Sequence, residues 1–88
     1  MDKSVREMYE GECVMQGAKY LLIIYDDGTL KLTWYCGDRV VDEESPRFTT
    51  AGKGLRIEYG NPNAKVKSSI PFSKYSDGTL DERWTKIK

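Results

Sequence analysis

The chain has 88 residues, the size of one domain (residues 1–88) with a thin core. Its 14 basic and 14 acidic residues cancel, and an apolar share of 39% excludes wholesale disorder. Histidine is absent, which removes the usual general base, the Ser-His and Cys-His dyads and the commonest metal ligand.

The elements follow in chain order. Ser4-Val5-Arg6-Glu7 has the form of a capping box and predicts a short N-terminal helical turn. From Tyr9 the pattern alternates, with Tyr9, Gly11, Cys13 and Met15 on one parity and Glu10, Glu12 and Gln16 on the other, as in a half-buried strand. Gln16-Gly17-Ala18-Lys19 reads as a turn. Tyr20-Leu21-Leu22-Ile23-Ile24-Tyr25 is apolar on both parities and predicts a central strand covered on both faces.

Asp26-Asp27-Gly28 is the clearest local signal. A type I turn with Gly28 in the left-handed region makes a three-residue hairpin loop with a G1 bulge, pairing Ile24 with Leu30 and Leu22 with Leu32. A two-residue Asp27-Gly28 loop would shift that register by one and bring Leu30 opposite Tyr25. In the next strand Leu30, Leu32, Trp34 and Cys36 share one face, and Lys31, Thr33 and Tyr35 the other.

Gly37 to Gly54 is polar and broken by Pro46. Val40-Val41 and Arg47 to Thr50 suggest short strands, with Asp42-Glu43-Glu44 as a solvated loop. Leu55 to Tyr59 alternates, Gly60-Asn61-Pro62-Asn63 forms a turn, and Lys65 to Ile70 returns with Val66 and Ile70 inward. Pro71 should end that strand or sit on an edge. Thr79-Leu80-Asp81-Glu82 is a second capping box, and Leu80, Trp84 and Ile87 fall at helical spacing, so a short C-terminal helix is expected.

These elements add up to a mainly β domain. The expected fold is a small antiparallel sheet or partly open barrel of about five or six strands, with short helical segments at the termini. The motif Tyr-x-Asp-Gly-Thr-Leu-x-x-x-Trp occurs twice, from Tyr25 and from Tyr75, at an offset of 50. Either a duplicated unit or one good turn chemistry used twice accounts for it.

Catalytic chemistry is hard to find. Cys13 and Cys36 offer no zinc knuckle, and Gly52-Lys53-Gly54 is too short for a phosphate loop. In a reducing compartment the two thiols read as small buried hydrophobes, a bridge between them remaining possible if their strands adjoin. Asp26-Asp27 suits a turn. No signal peptide or bilayer-spanning stretch is seen, so a cytoplasmic, non-enzymatic protein without metal or cofactor is expected.

Charge is segregated. Five basic and ten acidic residues precede Ser45, and nine basic and four acidic residues follow from there, so the halves carry −5 and +5. The charges either pair internally or mark two faces of opposite sign. Six tyrosines and two tryptophans are generous for so small a core. Tyr20, Tyr35 and Tyr75 are the candidate exposed anchors for a larger protein partner. The leading expectation is therefore an accessory protein, of the size that phages and mobile elements encode, which docks on a larger protein and inhibits or modulates it. The alternative is a small barrel binding single-stranded nucleic acid through Lys53, Arg56, Lys65, Lys67 and Lys74, with Tyr59, Phe72 and Tyr75 as stacking platforms. Self-association through the oppositely charged halves is a third possibility.

Tyr25-Asp26-Asp27-Gly28 followed by Ile57-Glu58-Tyr59-Gly60-Asn61 resembles the Tudor domain, with its acidic-Gly turn and later Asp-Tyr-Gly-Asn stretch. The Trp-Tyr pair that follows the first turn in that family is replaced by Thr29-Leu30-Lys31, so the resemblance carries no aromatic cage across.

Overall fold

The computed structural model describes residues 4–12, 17–60, 68–74 and 77–88. Eight strands run in chain order: β1 (Val5–Glu12), β2 (Ala18–Tyr25), β3 (Leu30–Cys36), β4 (Arg39–Glu44), β5 (Arg47–Ala51), β6 (Gly54–Tyr59), β7 (Ser68–Ser73) and β8 (Trp84–Lys86). They form two antiparallel sheets, of five strands in the order β4-β3-β2-β1-β8 and of three in the order β5-β6-β7. Within each sheet the strands pair in sequence order, β1 to β4 and β5 to β7, and β8 returns to β1. This is the cyclic order of an up-and-down barrel opened at two seams, β4/β5 and β7/β8.

The seams differ. At the second, Ser73 bridges Leu80, Asp81 N donates to Phe72 O at 2.9 Å, and Trp84 Nε1 donates to Pro71 O at 2.7 Å. At the first, the chain turns from β4 into β5 through Ser45-Pro46 and the two strands do not pair.

The Asp-Asp-Gly hairpin forms in the three-residue register. Ile24 pairs with Leu30 and Leu22 with Leu32, Tyr25 N donates to Thr29 O at 3.0 Å, and Gly28 takes φ +86. Asp27 Oδ1 accepts from Thr29 N at 3.0 Å and from Thr29 Oγ1 at 2.6 Å. The second copy of the motif repeats this, with Asp77 Oδ1 accepting from Thr79 N at 2.9 Å and Oγ1 at 2.6 Å. Strands also recur at roughly the motif's spacing: β1-β2-β3 is echoed by β6, β7 and the Leu80–Lys86 stretch.

The core lies between the sheets and is aromatic. Tyr9, Tyr20, Leu22, Leu32, Ile57, Ile70, Phe72 and Trp84 are buried, with Trp34, Phe48, Tyr59 and Leu80 packed against them. Tyr9 meets Phe72 edge-on at 5.0 Å, and Tyr20 meets Trp34 at 4.4 Å. Such contacts add about 0.5–1.5 kcal/mol per pair beyond area burial.

Several expectations are corrected. Neither terminal capping box starts a helix, and no helix occurs among the described residues. The N-terminal one lies at the start of β1, whose Tyr9 and Gly11 face the core as the alternation required. At the C-terminus, Trp84 lies over Gly11 in the β1–β8 pair. A Cβ on Gly11 would come within 2.8 Å of the indole, so the missing side chain makes the seat. Burying that ring outweighs a weak helical preference.

Asp42-Glu43-Glu44 pairs with β3 and is strand, not loop. The run lengthens the Val40-Val41 strand, and with β8 in place of the expected helix the described residues hold eight strands where five or six were expected. β2 is central in its sheet, but only Tyr20, Leu22 and Ile24 are buried, while Leu21, Ile23 and Tyr25 on the other parity are half-buried. The second sheet covers one face only. Cys36 is exposed rather than buried. Cys13, Met15, Val66 and the Asn61-Pro62-Asn63 turn lie outside the described residues. Pro71 sits within β7, an edge strand, where a missing N–H is tolerated.

Candidate protein-docking edge

The β3–β4 hairpin turns at Gly37, which takes φ +64. Beyond it Cys36 pairs with Arg39, Tyr35 with Val40 and Trp34 with Asp42, leaving Val41 as the extra residue of a bulge. β4 ends the five-stranded sheet, and among the described residues no strand is hydrogen-bonded to its far side. Val40 is 48% and Val41 63% exposed. Two β-branched side chains standing in water on an edge strand are costly to solubility and need a reason. Tyr35 is half-buried and shares the outer face with its partner Val40.

The rest of β4 is acidic. Glu43 pairs with Lys31 at 3.3 Å, and Asp42 Oδ1 accepts from Glu43 N at 2.8 Å. Asp42 and Glu44 make no ion pair among the described residues. Glu44 Oε2 is buried without a hydrogen-bond partner, as is Trp34 Nε1 on the neighbouring strand. An unmet buried polar atom costs about 1–3 kcal/mol. Where β4 leaves β3, a cleft of about 1050 Å³ opens, lined by Tyr25, Leu30, Lys31, Glu44, Pro46 and Arg47 among others.

The anchors and cations named from sequence separate. Tyr20 is 4% exposed and is corrected to a core residue, because it shares parity with Leu22 and Ile24 and lies against Trp34 and Trp84. Tyr35 is half-buried on the outer face, less open than an exposed anchor. Tyr75, Lys65 and Lys67 lie outside the described residues. Lys53 stands exposed in the β5–β6 turn and Lys74 exposed after β7. Arg56 is engaged by its neighbour: its Nε donates to Ser69 Oγ at 3.0 Å and its Nη2 to Ser69 O at 3.1 Å. Phe72 is buried and Tyr59 meets Trp34 at 5.2 Å, so both rings face the core instead of offering stacking platforms.

Sequence reasoning read Val40 and Val41 as a strand but did not place them on a contact surface. Their signal was two adjacent valines in an otherwise charged segment, a pattern without the alternation of a half-buried strand.

The charged halves meet at one described pair, Lys86 Nζ with Glu7 Oε1 at 3.4 Å. Glu7 Oε1 also accepts from Tyr9 Oη at 2.9 Å. That bond, followed by Lys86, holds the Glu7 carboxyl below its ordinary range. Burial, aided by Glu7, pushes the Tyr9 phenol up to about 12. Other described pairs stay within one half, including Lys19–Glu10 and Arg47–Glu58.

No described helix is long and apolar enough to cross a membrane. Comparison with protein-family models, curated proteins and solved structures finds no match, so the Tudor resemblance gains no support there and the functional reading rests on the geometry of the β3–β4 edge.

Proposed function

We propose that the protein is a non-enzymatic binding module that docks on a larger protein through the β3–β4 edge and modulates it. The observation that carries this is the pair of exposed valines on the strand that ends the five-stranded sheet, beside Tyr35. Aromatic and aliphatic anchors flanked by charge are what a protein contact uses. The nucleic-acid alternative loses ground, because the register leaves no aromatic side chain on the outer face of β5-β6-β7 among the described residues.

Val41→Asp tests the reading, since an exposed position tolerates the change without loss of fold. The tagged native chain and the variant are used as bait in an extract of the source cells, after circular dichroism confirms equal β content. Proteins held by the native chain should be lost from the variant. Identical captures from both would overturn the assignment. Light scattering at low and high salt separates self-association from binding to another protein.

A further inference from the structure

We infer that the partner contributes an extended, basic segment that adds to β4 as a further strand of the five-stranded sheet. This rests on the docking edge proposed above and names its occupant. β4 is the terminal strand of its sheet, and among the described residues no strand is hydrogen-bonded to its far side. An extended chain can satisfy the backbone groups there by strand addition.

The charge of the edge selects the occupant. Asp42, Glu43 and Glu44 follow Arg39, Val40 and Val41 on β4. Two copies of β4 side by side would crowd six carboxylates against two guanidiniums. Antiparallel overlap sets Arg39 against Glu44 but leaves the other four carboxylates without a cation, and parallel overlap sets like charges side by side, so self-pairing is disfavoured against a basic occupant. The same carboxylates favour a strand carrying lysine or arginine.

Register gives the pattern. Asp42 and Glu44 lie opposite Trp34 and Leu32, on the core-side face, whereas Val40 lies opposite Tyr35 on the outer face. The added strand therefore alternates basic residues on the Asp42/Glu44 side with apolar ones beside Val40 and Tyr35. A cationic side chain on the first parity brings Glu44 the donor that its buried oxygen lacks. The bulge at Val41 limits the regular ladder to short runs on either side, so the occupant is short.

The probe is a short capped peptide of alternating lysine and valine, titrated into the full isotope-labelled chain. Saturable amide shifts should centre on Arg39–Glu44 and Tyr35. Asp42→Asn combined with Glu44→Gln should weaken binding about tenfold, a few-fold for each lost opposite-charge pair. Methylating alternate peptide nitrogens removes the ladder donors and keeps the charge, and it should abolish the shifts. A glutamate-valine peptide should not bind.

Shifts centred on β5 or β6, equal binding by the methylated peptide, or no saturable shift would each overturn strand addition. If Val41→Asp still loses its captured proteins in that case, the docking edge stands and only the mode of docking is refuted.

Discussion

Gly11→Ala should be among the most damaging single-methyl additions in this protein. An alanine Cβ there would stand 2.8 Å from the Cε3 and Cζ3 atoms of Trp84. The ring has little freedom to yield: Trp84 is 4% exposed, packs against Phe72 at 5.6 Å and Tyr20 at 5.9 Å, and is tied to Pro71 O through Nε1 at 2.7 Å. Overpacking of this kind costs about 1–3 kcal/mol. Losing the indole hydrogen bond adds about 1 kcal/mol. The expected loss is thus roughly 2–4 kcal/mol, a large share of the ~5–13 kcal/mol available to a domain of this size. In thermal unfolding each kcal/mol is worth about 4–8 °C for such a domain. Denaturant unfolding followed by tryptophan fluorescence measures the loss, and Trp84→Leu on the Gly11→Ala background supplies the control. With the ring gone the methyl should cost little, so the two changes should fall well short of additive. A Gly11→Ala variant within about 0.5 kcal/mol of the native protein, or simple additivity, would refute the packing account.

Other consequences follow from the same geometry. Gly28→Ala forces a side chain into φ +86 and should cost about 1 kcal/mol in urea unfolding without changing the β spectrum. Because the Tyr9 phenol is raised to about 12 in the folded state from an ordinary 10, its contribution is intact below pH 10 and lost as pH climbs toward 12. Tyr9→Phe should flatten that part of the native stability profile in parallel melts. The Glu7 carboxyl is depressed, chiefly by the Tyr9 hydrogen bond, so its contribution is present above its ordinary value of 4.5 and lost as pH falls below it. Glu7→Gln should remove this acid-side slope. Cys36, exposed as a free thiol, should be alkylated in the native state at a rate near that of a free cysteine, as peptide mapping of maleimide-treated protein would show. Protection of Cys36 would place a covering segment over the β3–β4 hairpin.

Part of the candidate site could be read before the fold was known. Tyr35 lies on the opposite parity from Leu32 and Trp34, so its place off the core face was legible from the strand pattern, whereas a role in binding was not. Tyr20 was misplaced, since a run that is apolar on both parities does not say which side the covering sheet takes. The exposure of Val40 and Val41 was not legible for a different reason: it depends on whether their strand lies inside a sheet or ends it.

What the chain's local chemistry determined by itself is the β2–β3 hairpin and the parity of its strands. The Asp27 carboxylate, the Gly28 backbone and the Thr29 donors lie within three consecutive residues, so turn and register are settled by groups already in contact along the chain. Tertiary structure decided the ends. Trp84–Lys86 is a strand and not a helix because Gly11, distant in sequence, leaves a seat for the Trp84 ring. β4 is an edge because the chain turns at Ser45-Pro46 into another sheet, and among the described residues no strand pairs on its far side. Both outcomes depend on burial and pairing between remote segments, which no local preference encodes.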